Sequence, residues 1–197
     1  MRLLLVLFST ATCGLGSAAD DPKKPNYYPL TKGNKWEYAV THVNAEKYTR
    51  VVEVSDTGVK DGKLIATVKS WRYPGINSIY SYRADDTGVE ELSFGEINND
   101  PPIPRLKFPL KKGDKWSLKI RIDVTPVELT WAVGEPTEII VPAGKYKAIP
   151  VVYVENVGKL QVTNTLHYVD GIGLVRREAR FLFGGLTEQL KTFTPGK

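Results

Sequence analysis

WSLKIRIDV, residues 116–124, alternates without a break. Trp116, Leu118, Ile120, Ile122 and Val124 share one face of an extended chain, and Ser117, Lys119, Arg121 and Asp123 share the other. Successive side chains of a strand point to opposite sides of its sheet, so this is a strand with one dry and one wet face, as antiparallel sheets have. The same period of two recurs in both directions along the chain. It predicts strands at 35–42, 48–55, 63–71, 77–84 and 88–94 on one side, and at 137–141, 146–155, 158–169, 173–183 and 186–193 on the other. Asp61-Gly62, Asp86-Thr87-Gly88, Asn156-Val157-Gly158 and Gly184-Gly185 supply turns between them. No window of a dozen residues carries a helical stripe, which leaves at most a turn or two near Asn26–Leu30 or in the proline-rich middle. Some eleven strands without a helical layer form a barrel, a sandwich or one long curved sheet. Several strands reach ten residues, longer than is usual in sandwiches. The expected fold is therefore all-β: a long, strongly curved antiparallel sheet, or half-barrel, with little helix.

Two phrases nearly repeat. YPLTKGNKW begins at Tyr28 and FPLKKGDKW at Phe108, and their tryptophans, Trp36 and Trp116, lie 80 positions apart. Later in each half, YRADDTGVEEL from Tyr82 matches YVDGIGLVRRE from Tyr168 in its order of Tyr, Asp and Gly-hydrophobic. The reading is one domain, residues 20–197, built of two related halves at about 27–97 and 108–193. Between them lies NNDPPIPRLK, residues 98–107. Proline cannot donate to a ladder, so this segment is expected to be a connection rather than a central strand. Chance similarity between two strand entries is the alternative, because the intervening residues align poorly.

The first 19 residues read as a secretory signal peptide: Arg2, an apolar run from Leu3 to Phe8, and small residues ending Ser17-Ala18-Ala19. That run is too short to span a bilayer, which takes about 20 apolar residues. The expected location is periplasmic or secreted. Cys13, the single cysteine, sits in a context that fits a lipid-anchored form poorly. A chain exported without a disulfide must be held by its core alone. The formal net charge of +5 is spread along the chain, which reads first as solvated strand faces and second as a lean toward anionic surfaces. Without a clustered basic footprint, nucleic acid is not an expected partner.

PLTKGNKWEY (29–38), VPAGKYKAIPV (141–151) and YVDGIGLVRRE (168–178) together resemble a recurrent motif set of uncharacterised exported bacterial proteins. Its pattern is Pro-Leu-x-x-Gly-x-x-Trp-x-Tyr, then Val-Pro-Ala-Gly-x-aromatic-x-Ala, then Tyr-x-x-Gly-x-Gly-Leu-Val. Those proteins are similar to the curved-sheet fold of envelope lipoprotein carriers of the Lol type. The resemblance implies a half-barrel that cups acyl chains beneath short lid helices, although no such helices are legible here.

The candidate catalytic constellations of the sequence each lack a required part. Asp-Thr-Gly occurs at Asp56–Gly58 and Asp86–Gly88, the tripeptide of aspartic-protease dyads. Ser55 and Asp85 precede it and valine follows it both times, and 30 residues leave no room for two lobes, so these read as turns. His42 and His167 are the only histidines and neither has a spaced acidic partner, which supports neither a triad nor a metal site. Glu90 and Glu91 are adjacent, so they face opposite sides of a strand. No cofactor is expected.

What remains is aromatic. Trp36, Tyr38, Trp71, Tyr80, Tyr82, Trp116 and Trp131 are the candidate ligand-binding residues, all but Trp131 in predicted strands, with Trp36/Tyr38 and Tyr80/Tyr82 as same-face pairs. On a concave sheet they line a cavity for an apolar ligand or simply fill the core. The expected function is a non-enzymatic envelope protein holding a lipid, another apolar ligand or a lipidated partner in the trough. The alternative is an envelope assembly protein acting through protein–protein contacts.

Overall fold

A computed structural model describes residues 24–43, 47–72, 76–122 and 125–197. The expected signal peptide and Cys13 lie outside the described residues, as do Asp123 and Val124. Thirteen strands make up the fold: β1 Lys35–His42, β2 Tyr48–Lys60, β3 Lys63–Arg72, β4 Ile76–Asp85, β5 Gly88–Phe94, β6 Ile97–Lys107, β7 Lys115–Ile122, β8 Thr125–Val133, β9 Thr137–Val141, β10 Gly144–Val157, β11 Leu160–Val169, β12 Gly173–Phe181 and β13 Gly184–Thr194. All pairings are antiparallel, and the described residues contain no helix.

The strand order is β6-β5-β4-β3-β2-β1-β13-β12-β11-β10-β8-β7, with β9 set on β10 alone. Each half of the chain winds as a meander, and the first strand of the chain pairs with the last. The sheet curls until its two free edges, β6 and β7, approach. There Trp116 Nε1 donates to the carbonyl of Pro104 at 3.1 Å. The expected half-barrel is thus carried nearly to closure.

Two strands were not expected. Segment 98–107 is not a connection but most of β6, an edge strand whose ladder runs on one side only, to β5. An edge tolerates the missing donors of Pro101, Pro102 and Pro104, and the register slips twice along the pair to accommodate them. β8 alternates as cleanly as β7, burying Val127, Leu129, Trp131 and Val133. Asn26–Leu30, one of the two places where a helical turn was allowed, is an irregular segment.

The two copies of the repeated phrase build the same turn. Gly33 and Gly113 take φ of 84° and 88°, a region that costs a side chain dearly. The Gly33 amide donates to Val54 O at 2.8 Å and that of Gly113 to Val133 O at 2.9 Å. In return Val54 N donates to Asn34 O and Val133 N to Asp114 O, each at 2.9 Å.

The meanders give the barrel two unlike rims. One, called here the tip rim, carries the hairpin connections β1–β2, β3–β4, β5–β6, β7–β8, β10–β11 and β12–β13. The other is covered by residues 24–34. Gly171 N donates to Asn26 O at 2.9 Å, and the Asp170 carboxylate accepts from Asn26 N at 2.6 Å. Inside, on the β7–β8–β10 side, Trp116 stacks on Trp131 with centroids 5.8 Å apart, and Trp131 on Tyr153 at 5.0 Å. That stack fills one side of the barrel and leaves the other open.

Candidate functional site

The unfilled side is a cavity of about 330 Å³. Tyr28, Pro29 and Leu30 of the covering segment form its floor, and its walls rise toward the tip rim along β1–β6 and β10–β12. One wall is an aromatic ladder. From the rim downward, Phe94 packs on Tyr80 (5.1 Å between centroids), Tyr80 on Tyr82 (6.0 Å), Tyr82 on Tyr28 (5.3 Å) and Tyr28 on Tyr168 (6.4 Å). Strand alternation places Tyr80 and Tyr82 inward together, and the covering segment inserts Tyr28 between the halves of the barrel.

Two further aromatic side chains spend their polar atoms on the fold. Trp36 Nε1 donates to Ile172 O at 2.6 Å and Tyr38 OH to Leu174 O at 2.9 Å, bracing β1 against the start of β12. Burial raises the phenol pKa of Tyr28, Tyr38, Tyr82 and Tyr168, most strongly for Tyr38 and Tyr82. Burial likewise pushes Tyr153 up to about 12. These rings stay neutral at any physiological pH.

Guanidiniums flank the ladder, from β6 and β2 on either side of β4, and a third comes from β12. Arg105 of β6 reaches Glu91 of β5 through Nε at 2.9 Å and Nη2 at 2.7 Å. Arg50 of β2 reaches both oxygens of Glu188 of β13 and donates Nε to Ser70 Oγ at 2.8 Å. Arg177 of β12 donates Nε to Asn164 Oδ1 at 2.9 Å and lies 3.8 Å from Glu188. Burial works against the charge of Arg50 and Arg105, and the facing carboxylates more than offset it, so both pKa values rise.

The pairs are asymmetric. The side chains of Glu91 and Glu188 are only 4% and 3% exposed, whereas Arg105, Arg50 and Arg177 keep 27%, 22% and 31%. Glu188 is outside the cavity lining and Glu91 is part of it beside Arg105, and in each pair the guanidinium is the more exposed member. Glu155, also in the lining, accepts from Tyr153 OH at 3.3 Å.

Of the aromatic residues singled out from sequence, Trp36, Tyr38, Tyr80 and Tyr82 line the cavity. Trp116 and Trp131 do not, being committed to the core stack. Trp71 is on the outer face of β3, because Ala66, Val68 and Ser70 occupy its inward positions. Sequence reading missed Tyr28, Tyr153, Tyr168 and every ion pair. The signal for Arg50 was present: it shares an inward face with Val52 and the fully buried Val54.

The two Asp-Thr-Gly tripeptides do not meet. Asp56 pairs with Lys32 and Asp86 with Lys24, both pairs on the surface. His42 stacks on Tyr48 at 5.7 Å, and burial lowers the pKa of His167. No group of three or more His, Cys, Asp or Glu gathers among the described residues. Nor is any described helix long and apolar enough to cross a membrane.

No family model and no characterised protein matches the sequence. Two solved structures do match the fold. One is a candidate lipoprotein from Parabacteroides distasonis ATCC 8503, and the other a candidate exported protein with a YmcC-like fold from Bacteroides fragilis NCTC 9343. Each superposes with a TM-score of 0.58 at 13% identity, over 87% of this chain and 100% of the other. The likeness assigns the class of fold: a YmcC-like, nearly closed antiparallel sheet.

Proposed function

We propose that this is an exported, non-enzymatic binding protein of the cell envelope that holds a small amphiphilic molecule inside its barrel. The observation that carries this reading is the pairing of an aromatic ladder with cavity-lining guanidiniums that stay more exposed than their carboxylate partners. A bare hydrocarbon chain would strip water from the N–H groups of Arg50, Arg105 and Arg177 that their carboxylates leave free and would return no acceptor, at a cost of about 1–3 kcal/mol per unsatisfied donor. A ligand with a flat or aliphatic body and a carboxylate, phosphate or other acceptor head meets both the rings and the guanidiniums. The volume lies at the low end of small-molecule sites. Export is supported by the N-terminal sequence and by the kind of protein that shares this fold.

Native mass spectrometry of protein gently purified from its own host tests the reading. A reproducible added mass of roughly a few hundred daltons, fitting a cavity of this size and stripped by organic solvent, is the expected result. A clean mass, with no uptake of a fluorescent fatty-acid probe, would overturn it and leave envelope assembly through protein contacts as the surviving function.

A further inference from the structure

Outside the cavity, the exposed apolar side chains are unevenly placed. Among the described residues, nearly all the large hydrophobic side chains open to solvent lie at or beside the tip rim, with Val59 and Ile140 as exceptions. Phe183 is 92% exposed and Leu182 70%, on the β12–β13 hairpin tip. Val43 follows β1, where its amide bonds Gly185 O at 3.0 Å, so it stands beside that tip. Ile97 and Phe94 flank the β5–β6 turn, and Leu160 opens β11. Exposed Lys47, Arg72, Arg121, Lys159 and Arg180 stand among them. None of these cations has an acidic partner among the described residues, whereas Lys24, Lys32, Lys63 and Lys112 of the covered rim do. Among the described residues, Glu96 and Asp100 are the exposed acids beside these cations, which leaves that rim basic on balance.

We infer that the tip rim docks on an anionic lipid surface, with Leu182 and Phe183 entering the headgroup layer and the surrounding cations meeting lipid phosphates. Large apolar side chains on separate hairpin tips, interleaved with Lys and Arg, match an interface that is oily just below a negatively charged plane. They suit a protein partner less well, because turns separate them and they form no continuous face. The rim is also the end of the barrel opposite the cavity floor. This inference goes beyond the cavity reading and does not depend on it.

The test is flotation with vesicles of phosphatidylethanolamine and phosphatidylglycerol, against vesicles of phosphatidylcholine alone. The protein is expected to float with the anionic vesicles, and its partitioning to fall at least tenfold in Leu182→Ser/Phe183→Ser and in 0.5 M salt. Both side chains are open to water, so the double variant is expected to fold with unchanged stability. A second variant, Phe183→Trp, reports insertion directly as a blue shift of its emission on anionic vesicles. Equal flotation of parent and double variant would overturn the inference by placing any membrane contact elsewhere. Failure to float, or self-association in solution that the double variant abolishes, would overturn it in favour of a protein partner or a second copy.

Discussion

Arg50 and Glu188 meet across β1: the guanidinium of β2 contacts both carboxylate oxygens of the β13 residue, at 3.1 and 3.0 Å. β13 ends the chain's meander and β1 begins it, so this ion pair ties the junction that joins the two halves. Glu188 also serves Arg177. Glu188→Gln leaves two largely buried guanidiniums short of one charge, and is expected to cost about 3–5 kcal/mol by denaturant unfolding. Arg50→Met/Glu188→Leu removes both main partners and is expected to recover part of that loss. Equal stability of Glu188→Gln and the parent would show the pair to be solvated.

Trp131 is 2% exposed and touches both Trp116 and Tyr153. Trp131→Ala removes the centre of the stack and is expected to cost about 3–5 kcal/mol. Because Trp131 and Trp116 lie outside the cavity and only Tyr153 of the stack lines it, any bound mass is expected to persist in the folded variant. Loss of the ligand at unchanged stability would place Trp131 in the binding site instead.

The course of most strands was legible because burial follows a period of two, and wherever both faces differ the pattern sets the boundaries. β1, β5 and β9 fall where alternation put them. β6 was not legible for a specific reason: three prolines argue against a strand unless one edge is known to be free, and edge status is a property of the whole sheet. β8 was legible but overlooked, since only two residues separate it from β7 and the two alternating runs merge. The site was half legible. Aromatic pairs show which face looks inward, but Arg105 meets Glu91 across a pair whose register slips, and no spacing rule survives that. Near-closure of the sheet is equally invisible, because curvature accumulates from twist and bulges rather than from any single motif.

Val162 lines the cavity and is half-buried on β11. In a filled core a larger side chain there would cost about 1–3 kcal/mol. Beside open space, Val162→Trp is expected to change stability by less than about 1 kcal/mol while abolishing bound mass and probe uptake. Retained probe binding in a folded Val162→Trp protein would move the ligand out of the barrel.

Asp85, at the end of β4, accepts Lys63 Nζ at 2.7 Å and the amide and hydroxyl of Thr87 at 2.8 and 2.5 Å. Lys63 first, and then Thr87, hold its carboxyl well below the ordinary aspartate value. A depressed native pKa means that the unfolded chain binds the proton more readily. The stabilisation is therefore complete above the unfolded value of about 3.9 and is lost as pH falls through the native one. Asp85→Asn is expected to lower Tm by about 3 °C at pH 7, for a loss of about 1 kcal/mol. That gap should close below pH 4, and a gap that stays constant down to acid pH would contradict the assignment.

The twin turns allow one substitution to be compared in two settings. At Gly113, φ is +88° and an added Cβ would meet nothing within 4 Å, so Gly113→Ala is expected to cost only the backbone term, about 1–2 kcal/mol. At Gly33, φ is nearly the same, but the added Cβ would stand 3.2 Å from the Cα of Gly196, whose amide donates to Asn34 Oδ1 at 2.7 Å. Gly33→Ala must therefore strain the turn and also push the C-terminal segment aside. Its cost is expected to exceed that of Gly113→Ala, and deletion of residues 195–197 should abolish the excess when both variants are remeasured in the shortened chain. Equal costs in the full chain would mean that the C-terminal segment yields freely, and that only the shared turn matters.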